Sequence, residues 1–352
     1  MKHLIVLPLC LFLCILTFAQ PSAGYQMPPK PIADLADAPL PPALRINSTR
    51  DWMLLMERPG YPSIEELAQP ELRLAGLRMN PRTNGSSRSY SYSGLTLKHM
   101  DSGRAFQVTG LPDRPQIENL SWSPDGKRFA FTLTQSQGIE LWVGDVAGKS
   151  AQALTAARVN DAMRGTPFDW VGSSQLLVKL VPAGRSAPPE EALAPEGPVI
   201  QESAGEKTTL RTYQDLLEGP HDKALFEYYT TADLLLIHLE AGERTTLVES
   251  AIIAGVAPSP NDQYILVETL HRPFSYLVPY YRFPTTTKVY DLDGNLVKLI
   301  DEQPLIEQLP KGFGAVPEGK RRISWRDDQA ATLYWVEAQD GGDPQVEAEV
   351  RD

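Results

Sequence analysis

Hydrophobic and small residues alternate strictly after the tetrapeptide Ser123-Pro124-Asp125-Gly126. Phe129, Phe131 and Leu133 interleave with Ala130, Thr132 and Thr134, which is the two-residue period of a β-strand. Pro124 presets φ for the first central position of a type I turn, Asp125 suits the second, and Gly126 accepts the positive φ that returns the chain to a sheet. The second face is small rather than charged, so this strand suits a place between two sheets. The hairpin recurs. Trp122 is matched by Trp170, 48 positions on, ahead of Gln175-Leu176-Leu177-Val178. Further copies are Ser259-Pro260-Asn261-Asp262 before Tyr264–Val267, and Ser324-Trp325-Arg326-Asp327 before Thr332–Trp335.

A second pattern, a strand running into an acidic, Gly-bearing turn, repeats in phase with the first. It occurs at Leu95–Met100, Glu140–Val143, Leu234–Leu239 and Lys288–Leu292. Repeats of roughly 40 to 50 residues built of several short strands predict an all-β fold, a β-propeller. Four units are expected, at 117–156, 158–250, 252–310 and 320–352. The segment before them adds strands, so that about four to five blades are recognisable. The last unit stops after Leu333–Val336, which predicts a ring incomplete at the C-terminus.

The remaining segments break this rhythm. Residues 20–49 are Pro-rich and predict an extended arm ahead of a partial propeller over 50–352. Trp52–Met56 predicts an edge strand. Ser63–Ala68 predicts a short helix, with Ser63 and Glu66 forming a capping box. The second unit is twice the usual length, and its excess, about 183–224, predicts a surface insertion. Within it Thr212–Leu217 reads as a short helix stopped by Gly219 and Pro220, with His221–Tyr229 returning to the blade.

Composition changes the picture at the N-terminus. Met1-Lys2-His3 precedes an apolar run, Leu4–Phe18, and Thr17-Phe18-Ala19 offers small residues for cleavage. This predicts a signal peptide over 1–19 and an exported protein, periplasmic or extracellular, with no membrane attachment after cleavage. Both cysteines, Cys10 and Cys14, lie in that segment, so the mature chain is expected to form no disulfide or thiolate metal site. Without Lys2 the chain carries 32 basic and 44 acidic residues. With no basic run to offset that excess, binding to nucleic acid is not expected.

Candidate chemistry is sparse. No Gly-x-Ser-x-Gly elbow occurs, and His99, His221, His238 and His271 include no helix-spaced metal pair. The sequence thus predicts no catalytic residue, no metal site and no cofactor. Tyr276–Phe283 follows His271-Arg272-Pro273-Phe274 and places aromatics and two arginines on one loop. Arg272, Arg282 and Tyr280 are the candidate substrate-binding residues, since a guanidinium is costly to bury without a carboxylate. Filling gaps between blades is the alternative reading of this loop. Asp340-Gly341-Gly342-Asp343 reads as a hairpin turn rather than a calcium loop.

Four stretches carry a resemblance. They are Gly197–Ser203, Arg211–Leu217, Phe226–Tyr229 and Thr332–Pro344. Together they resemble the N-terminal part of prolyl-oligopeptidase-like serine peptidases, of the glutamyl-endopeptidase type, from about Ile46 onward. The resemblance implies a propeller preceding an α/β-hydrolase domain that carries the Ser, Asp and His. It implies further that the propeller gates access of peptides. The hydrolase part has no counterpart here, so no catalytic residue is carried over and the chain alone is not expected to hydrolyse peptides. The implied partners are a hydrolase domain, in cis or in trans, and a peptide substrate. A non-enzymatic binding propeller and a truncated inactive fragment are the alternatives.

Overall fold

A computed structural model describes residues 26–192, 197 and 212–351. The predicted signal segment and most of 193–211 lie outside the described residues. The described residues divide into two units, one ending at Leu40 and the other beginning at Pro41. In the first, the described residues include helix α1 (Lys30–Ala36), with a proline in its first turn and a Lys30–Asp34 ion pair of 2.8 Å one turn apart.

The second unit is a series of antiparallel sheets. Blade I comprises β1 (Ala43–Ile46), β2 (Trp52–Glu57) and, after an excursion through helix α2 (Ile64–Leu67) and strands β3 (Leu72–Leu74), β4 (Leu77–Asn80) and β5 (Gly85–Ser86), β6 (Gly94–His99) and β7 (Ala105–Gln107). Blade II is β8 (Ile117–Trp122), β9 (Arg128–Gln135), β10 (Gly138–Asp145) and β11 (Ser150–Ala153). Next comes a seven-stranded sheet of β12 (Phe168–Val171), β13 (Gln175–Leu180), β14 (Thr231–His238), β15 (Arg244–Pro258), β16 (Tyr264–Leu270), β17 (Thr285–Asp291) and β18 (Leu296–Gln303). It is two blades, III and IV, sharing one strand. The first part of β15 closes blade III against β14, and Ile252–Pro258 opens blade IV against β16. A pair, β19 (Lys320–Trp325) and β20 (Leu333–Glu337), begins blade V.

Four cores lie between successive blades and account for the two-faced strands. Phe129, Phe131 and Leu133 of β9 join Leu54, Met56, Leu95 and Leu97 of blade I. Ala130, on the opposite face of the same strand, joins Phe168, Trp170, Leu176 and Val178 of blade III. Leu177 turns the other way, to Ile253, Ile265 and Val267 of blade IV. Trp325 of blade V packs with Leu266 and Val289. The small second face of β9 is therefore the face that meets the next blade.

The recurrent hairpin turns form a chain of contacts along one end of the blades. Gly126 has φ 70° and donates its N–H to the Ser123 carbonyl. Asp262 occupies the matching place with φ 56° and the same bond to Ser259. Asn47 and Ser48 of blade I donate to the carbonyls of Gly126 and Pro124, and the Asp125 N–H donates to Ser173 Oγ of blade III. Gly172 then lies beside Asp262, and the Asn261 N–H donates to the Ala330 carbonyl of blade V. Two tryptophans of the motif repeat one bond as well, while the Trp170 indole N–H is buried without a partner. Trp122 Nε1 donates to the Arg45 carbonyl at 3.1 Å and Trp325 Nε1 to that of Ala257 at 2.9 Å, each reaching the first strand of the preceding blade.

The capping box stands as predicted, with the Glu66 N–H donating to Ser63 Oγ and the Ser63 N–H to Glu66 Oε2. Other expectations are corrected. Trp52–Met56 is no edge strand, since β2 pairs with both β1 and β6. Residues 43–46 of the expected arm are a blade strand. Residues 212–219 are irregular, and the helix is α3 (Pro220–Thr230). Gly219 is its N-cap and Pro220 its first residue, the place where a missing N–H costs nothing and a fixed φ favours the helix. The blade resumes only at Thr231.

Candidate functional site

Strand β8 runs toward the turn at 123–126, so Ile117 marks the opposite end of the blades. Phe168, Ile252, Leu270 and Glu57 lie at that end by the same reasoning. Several excursions of the described chain leave a blade there, among them β3–β5, residues 160–164, residues 212–230 and residues 271–284. Together they bury a fifth core of Leu74, Leu77, Met79, Met163, Leu217, Phe226, Tyr229, Phe274, Val278 and Phe283, a cap built from insertions of several blades.

The β3–β4 hairpin holds the cap together. Ala75 and Gly76 have φ 52° and 84°, the pair of positive values of a two-residue type I′ turn. The Gly76 N–H donates to the Asp215 carbonyl at 2.7 Å, and the Ala75 carbonyl accepts from the Tyr280 N–H at 2.9 Å. A Cβ on Gly76 would stand 2.9 Å from Pro279 Cβ, so the turn fits only a glycine there. One tight turn thus pins both the blade III insertion and the blade IV loop.

Two cavities open in the cap. One, of about 490 Å³, is lined among others by Arg82, Arg88, Arg114, Glu118 and Asp161. The other, of about 600 Å³, is lined by Arg78, Arg164, Tyr213, Asp215, Pro279 and Tyr281 among others. Asp215 accepts from Arg78 Nε at 2.7 Å and lies 3.9 Å from Arg73.

The first cavity borders a buried polar cluster. In β8 the register shifts between Glu118 and Ser121, and Asn119 takes φ 51°. The resulting bulge re-aims Asn119, whose Nδ2 donates to Asp161 Oδ2 at 2.9 Å and Thr132 Oγ1 at 3.1 Å. Burial pushes Asp161 up to about 7, and the neighbouring Glu118 carboxylate adds to the effect. Burial also raises Glu118, against its bond from Ser89, and lowers Lys179. Asp161 therefore binds a proton more tightly when folded. Its effect on stability is most favourable near and below the ordinary carboxylate range, declines as pH rises toward 7, and is constant above. For Asp161→Asn, the stability difference from the native chain should shift in the variant's favour by up to about 1.4 kcal/mol per pH unit between pH 4.5 and 7. Urea unfolding of both proteins across that range reads the slope; parallel curves would contradict the assignment.

The sequence-predicted residues all lie in the cap. Arg272 makes a two-pronged pair with Glu227 of α3, at 3.1 and 2.6 Å. Arg282 lies over the Tyr213 ring at 5.5 Å. Tyr280 is half-buried, its hydroxyl raised by desolvation and facing Arg164. Arg272 thus ties helix to loop, whereas Arg282 packs on Tyr213 and Tyr280 stands between Pro279 and Tyr281, all three lining residues of the second cavity. Asp161, Glu118, Arg78 and Arg164 were not singled out from the sequence. The one available signal was Glu118-Asn119, two adjacent polar residues that break the alternation of the first strand.

His99 Nδ1 lies 3.2 Å from Ser102 Oγ, but it also accepts the Ser102 N–H. Trp52 packs edge-on against the ring, and the nearby Asp51 is engaged by Thr49 and Asn47. This is a hairpin turn closing on its own histidine. Asp340 lies in a turn and pairs with Arg351 at 2.8 Å. Among the described residues no group of three or more His, Cys, Asp or Glu is placed to hold a metal ion, and no helix is long and apolar enough to cross a membrane.

Comparison with known proteins bears out the resemblance read from the sequence. The chain is 37% identical over 343 residues to a rice protein described as a probable chloroplastic glutamyl endopeptidase, and 36% identical over 342 residues to an Arabidopsis thaliana protein of the same description. Each match covers 94% of this chain and 36% or 35% of the relative, so the chain spans about a third of their length. No family model matches. Similar solved structures include a Pyrococcus horikoshii acylaminoacyl peptidase (14% identity, 76% of this chain and 33% of that one, TM-score 0.39). Another is the β-propeller domain of the Trilobed protease from Pyrococcus furiosus (13% identity, 76% and 58%, TM-score 0.39).

Proposed function

We propose that this chain, a β-propeller segment related along 94% of its length to glutamyl endopeptidases, is the substrate-gating portion of an exported serine peptidase. The observation that carries the reading is this near-complete match in sequence to one part of much longer peptidases. In this reading the Ser, His and Asp come from an α/β-hydrolase domain, in cis or in trans. The propeller contributes shape, with the cap restricting which peptides reach the catalytic groups. The apolar head at 4–18 directs export and is removed.

In this reading the propeller portion is itself non-catalytic. Two measurements test it. The purified chain should not react with a fluorophosphonate probe, and a fluorogenic peptide with an acidic residue before the scissile bond should be cleaved only when the hydrolase portion is joined to or mixed with it. Labelling of this chain alone, or cleavage by the hydrolase portion that is unchanged in selectivity with and without it, would overturn the proposal. A binding scaffold would instead give no turnover in any combination.

A further inference from the structure

We propose that Asp161 is a proton-operated latch between the cap and blades II and III, shut while its carboxyl is protonated and released as the carboxyl ionises. The latch stands apart from the peptidase reading, since it rests on how this one junction is built.

The cap meets the blades at this residue. The β4–β5 turn reaches it through backbone: the Asp161 N–H donates to the Asn84 carbonyl at 3.0 Å, and Gly85 forms a parallel bridge with Asp161. The end of α3 is tied in by two buried asparagines. Asn84 Nδ2 and Asn160 Nδ2 each donate to the Tyr229 carbonyl at 3.0 Å, and Asn160 Nδ2 donates to that of Thr231 at 2.8 Å. Blade II reaches Asp161 through its side chain, where Asn119 Nδ2 donates to Oδ2 at 2.9 Å. These ties join neutral groups, except that the last one ends on a carboxyl able to take a charge.

No cation forms an ion pair with Asp161 among the described residues, and the residue is only 8% exposed. From β8 it faces the Glu118 carboxyl, which repels a second negative charge. From β13 it faces Lys179, whose ammonium attracts that charge but is itself disfavoured by burial. Strand β5 brings only Gly85 and Ser86. Helix α3 brings Tyr229 and, through Asn84, Arg185. The other charged groups, Glu65, Glu66, Arg82, Arg88 and Arg114, stand around the cavity of about 490 Å³ whose wall includes Asp161 and Glu118. Glu66 is taken up by its capping box, and Arg88 lies 3.6 Å from Glu71.

An ionised carboxylate in such a place regains hydration only if water enters. The cavity is the route for that water. The parts beside it with least to hold them are the two-residue strand β5 and the connection at 159–164, so these are the segments that part. Burial and the Glu118 charge keep the Asp161 proton up to about 7 in the closed state, whereas a hydrated carboxyl in the open state titrates at its ordinary value. Opening therefore gains up to about tenfold per pH unit from about pH 4.5 to 7 and is constant above.

Hydrogen exchange of the whole chain tests the latch, with each rate divided by the intrinsic rate at the same pH. From about pH 5 to 8, protection at 83–86, 159–164 and 226–231 should fall by about tenfold or more. Strand β10 should stay better protected than these segments at every pH, which marks the opening as local. Asp161→Asn keeps an acceptor for Asn119 and cannot ionise, so its profile should be flat. Glu118→Gln removes the facing negative charge and should move the upper end of the slope to lower pH. A flat profile in the native chain would overturn the proposal, and that profile is read without any variant. So would a slope that persists in Asp161→Asn, or equal protection of β10 and the junction, which would mean that the two open only together.

Discussion

Replacing Gly144 by valine should bring the unfolding midpoint of the propeller far below that of the native chain. Gly144 of β10 pairs directly with Phe129 of β9, and the Phe129 ring lies across the space a side chain would fill. A Cβ at Gly144 would stand 2.1 Å from Phe129 Cζ and 2.2 Å from Cε2. The ring has nowhere to go. It is fully buried, edge-on to Trp122 at 5.6 Å and stacked on Phe131 at 6.1 Å, in the core between blades I and II. Overpacking of a tight core costs about 1–3 kcal/mol, and a branched side chain driven into an immobile ring belongs at or above the upper end. Urea denaturation should show a loss of about 3 kcal/mol for Gly144→Val and a smaller loss for Gly144→Ala. Gly60→Ala is the control, since nothing lies within 4 Å of its would-be Cβ, and it should leave the midpoint unchanged. A native-like midpoint for Gly144→Val would mean that the β9–β10 pairing differs from the one described.

Phe226→Ala should have an effect of similar size but of different reach. Phe226 of α3 has no exposed surface, and it meets Phe274 and Phe283 edge-on at 5.1 and 5.6 Å. Phenylalanine-to-alanine changes in a core cost about 3–5 kcal/mol. This core, however, belongs to the cap and is distinct from the four between blades. The expected result is a cap that opens below the global transition while the blades stay folded. Amide hydrogen exchange should rise in 72–80, 220–230 and 271–284 and stay native in β9, β10 and β13. A uniform rise across all strands would show that cap and blades form one cooperative unit, contrary to the division made here.

These two sites illustrate what the sequence did and did not disclose. The hairpins were legible because their information is local. Ser-Pro-Asp-Gly carries its own turn chemistry, and the alternation after it carries its own period. The small second face of β9 even announced that another sheet would lie against it. The cap was not legible, because its core joins residues as distant as Leu74, Phe226 and Phe283, and no local period links them. Pro220 misled for a related reason. A Gly-Pro pair reads equally well as the end of one helix or the start of the next, and only the apolar positions Phe226 and Tyr229, facing a core unseen in sequence, decide between them. Trp52–Met56 looked like an edge because its inner neighbour, Ala43–Ile46, is short and lies in a Pro-rich stretch. At the candidate site, the loop bearing Arg272, Tyr280 and Arg282 was found by residue type alone. The partners of its arginines, Glu227 and the Tyr213 ring, come from the blade III insertion, out of reach of a linear reading. Asp161 and Arg164 flank the buried Ala162-Met163 pair on a connection with no repeat to mark it.

The shared strand β15 bears on how such a ring can flex. A single uninterrupted backbone passes from the outer edge of blade III to the inner edge of blade IV, hydrogen-bonded to β14 along its first part and to β16 along its second. Blades I and II are instead separate sheets, joined outside their side-chain core by the Thr109–Ser150 and Tyr92–Ile117 bridges and by the bonds from Asn47, Ser48 and Trp122. Compliance is therefore unevenly distributed: blades III and IV behave as one stiff double leaf, and bending concentrates at the junctions nearer the N-terminus. A cross-link between blades I and II would therefore restrict such bending more than one placed within the double leaf.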